Sequence, residues 1–182
     1  IDGQDIKDYS QEALRKSIGL VLQEPFLYHG TIASNIRMYH EELTDEEIRQ
    51  AAAFVDVADF IESLPGGYDH PVTERGSTLS TGQRQLLAFA RTIAAQPKIL
   101  ILDEATANID QETEEMIQNS LKKMRQGRTT IAIAHRLSTI QDADCIYVLD
   151  KGKIIESGNH DQLIALGGTY KKMYDLQAGM MK

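Results

Sequence analysis

The amino-acid sequence predicts an α/β fold: a three-layer core on a parallel sheet, with a helical subdomain inserted into it. Residues 99–102 and 131–134 are apolar at every position, which is typical of parallel strands covered on both faces. Between them lies a helical pattern in which Ile117, Leu121 and Met124 share one face. Strand, helix and strand with short connections predict a right-handed parallel arrangement.

The beginning of the chain is expected to add one helix and one strand to this core. A short helix is predicted at 11–15 and an apolar strand at 18–22. Pro25 follows closely and ends the strand, because proline cannot continue its hydrogen-bond ladder.

The middle of the chain, residues 31–95, has a helical pattern instead. Thr44 and Glu47 have the spacing of a capping box before a helix, and a second short helix is predicted at 57–64. This region is therefore interpreted as a helical subdomain within a single domain. The α/β core is assigned to two ranges, 1–30 and 96–182.

The end of the chain continues the alternation. The helix expected at about 112–125 has Gly127 as its C-cap, and a short helix is predicted near 138–143. A third strand is predicted at 146–149, followed by a tight turn into apolar residues and by helices.

Composition narrows the class of protein. The 182 residues carry 19 basic and 27 acidic side chains, a net charge of -8, which argues against nucleic acid as a partner. No apolar run approaches the ~20 residues that span a bilayer. The single cysteine, Cys145, fits a reducing compartment. The start shows no signal-peptide pattern, and the absence of an initial Met suggests an excised segment, although processing would explain it equally well.

A short polar motif opens the helix that ends the subdomain. Ser80 and Gln83 have capping-box spacing, so a well-capped helix would explain the pattern by itself. The same small residues at a helix N-terminus would also offer free N–H groups to a phosphate. The motif consists of Leu79, Ser80, Thr81, Gly82 and Gln83.

Asp103 and Glu104 follow the apolar strand at 99–102. Two acids there could simply form a solvated turn. In an α/β sheet, however, ligands bind beyond the carboxyl ends of the strands. Asp103 could then hold Mg²⁺, directly or through water, and Glu104 could act as general base on an attacking water.

Gln23 and His135 also follow predicted strands. A lone histidine is more often structural than catalytic, but at this edge His135 could hydrogen-bond a terminal phosphate. The Gln23 amide could contact water and metal together. Neither residue carries much weight alone.

In order and spacing, these motifs resemble the nucleotide-binding domain of ABC exporters, whose core is of the P-loop nucleoside triphosphatase type. By this resemblance Gln23 is similar to the Q-loop glutamine, and residues 79–83 to the signature motif. Asp103 looks like the end of Walker B, Glu104 like the catalytic glutamate and His135 like the switch histidine.

The resemblance extends to further segments and to ligands. Asp110 lies where the D-loop is expected, and residues 73–76 are similar to the segment through which exporters sense their membrane domains. ATP and Mg²⁺ are the implied cofactors, with Gln23 and Asp103 on the metal. The implied partners are a second nucleotide-binding domain and transmembrane domains, at the cytoplasmic side of the membrane.

One motif of the family is missing from these 182 residues. A Walker A loop needs Gly-x-x-x-x-Gly-Lys before Ser or Thr, whereas Gly152-Lys153 precedes Ile154 and is interpreted as a hairpin turn. In the family this loop precedes the Q-loop, so it is expected upstream of Ile1. The chain alone is therefore expected to bind Mg-ATP weakly or not at all.

Thr81 is a second departure, because the family signature usually has Gly there. By the resemblance, an irregular signature beside an intact Glu104 suggests a two-site heterodimer, although tolerated variation in a homodimer explains Thr81 equally well. Two other functions stay open: an inactive folding or interaction fragment, and part of a soluble ABC-type ATPase.

Overall fold

The computed structural model describes residues 1–73, 76–103, 111–134 and 136–179. It confirms the α/β class, with helices packed on a parallel three-stranded sheet. The chain divides into two compact units, Ile1–Ile133 and Ala134–Lys182, each with its own hydrophobic core.

The first unit contains the parallel sheet and the helical region. Its helices are α1 (Gln11–Ser17), α2 (Ile32–Arg37), α3 (Asp45–Phe54), α4 (Ala58–Ser63), α5 (Thr81–Ala94) and α6 (Gln111–Arg125). Its strands are β1 (Ile18–Val21), β2 (Gly30–Thr31), β3 (Pro71–Val72), β4 (Ile99–Asp103) and β5 (Thr129–Ile133).

β4 lies at the centre of the parallel sheet, between β1 and β5. Val21 pairs with Leu102, and Asp103 pairs with Ile133. The parallel pairing predicted from the apolar runs is thus confirmed for these strands, although β1 ends one residue earlier than expected. Their carboxyl ends meet at one edge of the sheet.

One face of this sheet is buried in the core of the first unit. Val21, Leu100 and Leu102 point to that face and are at most 4% exposed. Gly19 lies there too, and a Cβ on it would come within 2.7 Å of Thr92 Cγ2 in α5 and of Pro97 Cγ. Glycine at this position lets α5 pack closely against the strand.

The opposite face is exposed, which corrects the expectation that the strands are covered on both sides. Leu20 is 52% exposed, and in β5 Ile131 and Ile133 are 57% and 55% exposed. An uninterrupted apolar run needs a packed layer on each face, and the described residues supply a layer on only one.

The helical region is built as its local sequence predicts. Thr44 caps α3, its hydroxyl accepting from the Glu47 N–H while the Glu47 carboxylate accepts from the Thr44 N–H. Ile48, Ala51 and Ala52 of α3 are buried. The small antiparallel pair of β2 and β3 is not predicted, because two-residue strands have no periodicity.

α6 packs through the apolar face that the sequence indicates. Ile117, Leu121 and Met124 are 0%, 7% and 0% exposed. The buried Ser120 hydroxyl also donates to the Val55 carbonyl at 3.0 Å, which ties α6 to the end of α3. Gly127, just past the helix, has a φ of 70° that favours glycine.

The helix lengths bear on membrane insertion. α5 has 14 residues and α6 has 15, whereas a membrane-spanning helix needs ~20. In the part of the chain that the structure describes, no helix combines the length and the apolar character needed to cross a membrane.

The second unit is a hairpin with two helices. The strands are β6 (Ile146–Asp150) and β7 (Lys153–Gly158), and the helices are α7 (His160–Leu166) and α8 (Thr169–Gln177). Its core includes Ile146, Val148, Leu163 and Tyr170.

Two expectations for this unit are corrected. The strand predicted at 146–149, expected to continue the parallel sheet, instead pairs antiparallel with β7. The hairpin turn predicted at Gly152-Lys153 is confirmed, with positive φ angles of 48° at Lys151 and 76° at Gly152. The helix predicted near 138–143 is a single 3-10 turn, Leu137–Thr139.

Candidate functional site

Gln23 and Asp103 lie at the carboxyl edge of the parallel sheet. Asp103 is the last residue of β4 and is partly buried, whereas Gln23 follows the end of β1 by two residues and is exposed. Val21 and Leu102 are the last paired residues of the two neighbouring strands. Gln23 lies two residues beyond this pair, and Asp103 lies one residue beyond it. The sheet thus places an amide and a carboxylate, separated by 80 positions in the sequence, at the same edge.

Three of the predicted site residues, Glu104, Asp110 and His135, lie outside the described residues. Two of them, Glu104 and His135, are close in the sequence to described residues at the carboxyl ends of β4 and β5. Glu104 directly follows Asp103, and His135 comes two residues after Ile133, the partner of Asp103 on β5.

The 79–83 motif forms the N-terminus of α5, as predicted. Ser80 is the N-cap and makes the reciprocal capping box with Gln83, with N–H donors 2.9 and 3.1 Å from their acceptors. Leu79 and Gly82 are buried, and Thr81 is the exposed first residue of the helix. The N-terminus of the helix is therefore capped, and its positive dipole end lies at an exposed residue.

Thr81 has a partner that the sequence did not indicate. The Arg84 guanidinium donates to the Thr81 hydroxyl at 3.1 Å and to the Leu79 carbonyl at 2.6 Å. The bulk that Thr81 adds in place of glycine is thus held against the helix itself. The spacing from Thr81 to Arg84 is one helical turn, a signal that could have suggested the contact.

The segment after Gln23 presents two aromatic rings. Phe26 and Tyr28 are 43% and 44% exposed and meet edge to face, with ring centroids 4.9 Å apart. Leu27 between them is fully buried. The backbone at Gly76 approaches Leu27 closely, since a Cβ on Gly76 would lie 2.8 Å from Leu27 Cδ1.

This approach joins two segments that the sequence singled out, the one after Gln23 and the one at 73–76. Within the second, Glu74 and Arg75 lie outside the described residues. Gly76 has a φ of 62°, so both its backbone conformation and its surroundings favour glycine.

The metal prediction can be compared with the donors present. Amide and carboxylate oxygens such as those of Gln23 and Asp103 suit Mg²⁺, which takes few protein ligands and retains several waters. Among the described residues, no group of three or more His, Cys, Asp or Glu side chains is gathered in a metal-binding arrangement. The donors fit a metal held mostly by phosphate and water.

A solved structure defines the class of this fold. The chain is similar to a bacterial Atm1-family ABC exporter with ATP bound, with a TM-score of 0.88 and 45% identity over 98% of this chain and 31% of the other. The fold is therefore the ABC ATPase fold, of the P-loop nucleoside triphosphatase type.

Sequence comparisons then show the family. The family model described as ABC transporter matches residues 1–107. The putative ABC transporter ATP-binding protein exp8 of Streptococcus pneumoniae is 76% identical over 181 residues, which cover 100% of this chain and 31% of that protein. The probable multidrug resistance ABC transporter ATP-binding/permease protein YheH of Bacillus subtilis is 55% identical, over 98% of this chain and 27% of its own length.

The chain therefore belongs to the ABC transporter family. It spans about a third of the length of these relatives.

Proposed function

We propose that this chain forms part of the ATP-hydrolysing domain of an ABC exporter and powers the export of a substrate across a membrane. The parallel pairing of β1 with β4, which leaves Gln23 and Asp103 at one edge of the sheet, carries the proposal. Ligands of α/β sheets bind beyond this edge. The similarity of the fold to that of a bacterial ABC exporter also supports the proposal.

The residues divide the work of hydrolysis. Asp103 and Gln23 would hold Mg²⁺, partly through water, and the bound ion would supply positive charge at the phosphates. Glu104 removes the proton from the attacking water, and His135 donates a hydrogen bond to the terminal phosphate. Asp110, which lies between β4 and α6 in the sequence, contributes to nucleotide binding.

Two such domains would close head to tail in this proposal. The N-terminus of α5, residues 79–83, would then face the nucleotide of the partner domain, where its N–H groups and dipole favour a phosphate. Phe26 and Tyr28 would meet the transmembrane domains on the cytoplasmic side. Their exposed, paired rings offer an apolar contact of the kind that interfaces use.

The partner domain is either a second copy or a different subunit. An irregular signature at Thr81 beside an intact Glu104 favours a heterodimer in which this signature serves the weaker of two sites. If the full-length protein alone, as a homodimer, hydrolysed ATP at a normal exporter rate, the heterodimer would be excluded.

The 182 residues by themselves are proposed to be inactive. No Walker A sequence occurs among them, so the chain lacks the loop whose N–H groups and lysine surround the phosphates. Activity is accordingly assigned to the longer protein that we propose contains this chain.

Replacing the proposed base tests the function. Glu104→Gln in the full-length protein should lower ATP turnover by about 10²–10⁴, the usual contribution of a general base, because the amide cannot accept the proton from water. Turnover is measured as phosphate release from protein reconstituted in membranes. Glu41→Gln, an exposed change in the helical region, is the control and should leave turnover unchanged.

Either of two results would count against the proposal. An unaltered rate for Glu104→Gln would remove this residue from its role. A full-length wild-type protein that hydrolyses no ATP would contradict the proposed activity as a whole.

A further inference from the structure

Arg91 joins three parts of the first unit that are far apart in the sequence. Its guanidinium donates to the Asn35 carbonyl at 2.7 Å, to the Phe26 carbonyl at 2.9 Å and to the Asn35 side-chain oxygen at 3.1 Å. These bonds span 56 and 65 positions. The planar fork of an arginine can reach several acceptors in fixed directions, which a lysine ammonium cannot do.

Asn35 is the second half of this contact. Its side chain is 2% exposed, and its amide donates to the Tyr28 carbonyl at 2.9 Å and to the Thr31 carbonyl at 3.0 Å. Its oxygen accepts from the Tyr28 N–H at 2.8 Å. The backbone of Tyr28 is therefore held on both sides by one buried amide, which Arg91 in turn holds.

The positive charge of Arg91 is surrounded by neutral hydrogen-bond acceptors and an aromatic ring. The ion pairs found among the described residues do not include it, and its hydrogen-bond acceptors there are neutral oxygens. Its guanidinium carbon lies 5.8 Å from the centroid of the Tyr28 ring. Burial lowers the pKa of Arg91, a cost that the bonds to the segment around Tyr28 must offset.

The position of Arg91 on α5 relates this contact to the proposed nucleotide site. α5 begins at Thr81, and ten residues of helix, about 15 Å, separate Thr81 from Arg91. The segment at 24–28 begins directly after Gln23. A rigid helix thus connects the residues that follow Gln23 with the motif at 79–83.

We infer that Arg91 is a positioning residue that makes segment 24–28, α2 and α5 move as one body. A displacement of Phe26 and Tyr28 is then passed to the 79–83 motif. Without this clamp, segment 24–28 would be held to α5 by the buried side chain of Leu27 but no longer by its backbone. The inference rests on the proposed function for its effect on hydrolysis, but the clamp itself is a property of the described contacts.

The test uses the full-length protein with Arg91→Lys, and with Asn35→Ala as a second variant. Hydrogen–deuterium exchange of the Tyr28 amide should become about tenfold faster in both, because its acceptor is removed or loses its support. The turnover number for ATP should fall about three- to tenfold with KM within about twofold, since Arg91 affects positioning rather than nucleotide contact.

Ser120→Ala is the matched control. It removes another buried hydrogen bond of the same unit, to the Val55 carbonyl, without touching segment 24–28. Exchange at Tyr28 and ATP turnover should both stay at wild-type values, which separates positioning from a general loss of stability. The double variant Arg91→Lys with Asn35→Ala should exchange no faster at Tyr28 than Asn35→Ala alone.

Unchanged exchange at Tyr28 in both variants would overturn the inference, because no clamp would exist. Faster exchange with an unchanged turnover number would overturn the positioning role. If the wild-type protein hydrolysed no ATP, the proposed function would fail, while the exchange measurement would still decide whether Arg91 holds the segment.

Discussion

Glu156 illustrates how one carboxylate stabilises an element of the second unit. It lies on β7 and accepts hydrogen bonds from the Tyr170 N–H at 3.0 Å and from the Thr169 N–H, the first donors of α8. These two bonds, that of Tyr170 first, lower the pKa of Glu156 below its ordinary value of 4.5. An anion at this position also complements the helix dipole.

The pH dependence of stability should reveal this contact. Because the folded-state pKa of Glu156 is lowered, its contribution is present above pH 4.5 and is lost as the pH falls through the folded-state pKa. Glu156→Gln should therefore lower the melting temperature at pH 7, and the difference from wild type should be smaller at about pH 3.

Thermal unfolding followed by circular dichroism at both pH values measures this effect. Glu41→Gln, in the exposed part of the helical region, serves as the control and should show no such difference. A difference for Glu156→Gln that is equal at both pH values would show that the carboxylate's charge is not responsible.

At the scale of elements, the two faces of the parallel sheet differ most. Leu100 is 0% exposed on the face toward α5, whereas Leu20 is 52% exposed on the other face of the neighbouring strand. Both are leucines in regular parallel strands. Their contributions to stability should differ because burial, rather than strand propensity, determines how much free energy a leucine side chain supplies.

The same truncation at both positions tests this contrast. Leu100→Ala should reduce the free energy of unfolding by about 2–5 kcal/mol, whereas Leu20→Ala should cost less than about 1 kcal/mol. Urea unfolding of the 182-residue chain measures both. Equal costs would mean that the exposed face is covered in solution, and a dependence on protein concentration would identify a second copy as the cover.

At the scale of the whole molecule, the described structure contains a sheet edge with polar side chains but the sequence contains no phosphate loop. The sheet edge and the phosphate loop make different contributions to nucleotide binding. Gln23 and Asp103 suit the metal, whereas most phosphate contacts in such folds come from the loop and its lysine. The 182-residue chain is therefore expected to hold a nucleotide poorly.

Calorimetric titration of the chain with Mg-ATP should give no saturable heat, while circular dichroism shows the sample to be folded. The full-length protein titrated in the same way is the control and should bind, because it would supply the loop. One-to-one binding by the short chain at micromolar affinity would contradict the prediction and would show that the remaining motifs form a site by themselves.

Much of the local structure could be predicted from the sequence, because the interactions that decide it join close neighbours. The capping boxes at Thr44 and Ser80 depend on residues three positions apart, and both are present. The buried stripe of α6 follows from helical periodicity in the same way. The apolar runs likewise predicted that β4 and β5 would pair in parallel.

The rest depends on contacts between distant residues. No pattern around Arg91 indicates Phe26 or Asn35, which lie 65 and 56 positions away. The exposure of Ile131 likewise depends on which elements pack against β5. An apolar run indicates a strand, but it does not specify what covers each face.

The sequence by itself determined the fold class, the family resemblance and the identity of the candidate site residues, because these follow from local motifs in a fixed order. The tertiary structure alone decided that β1 and β4 are neighbouring strands, with Gln23 and Asp103 at one edge, and that Arg91 of α5 bonds to the segment after Gln23. Such arrangements depend on the packing of the whole chain, and no short stretch of sequence specifies them.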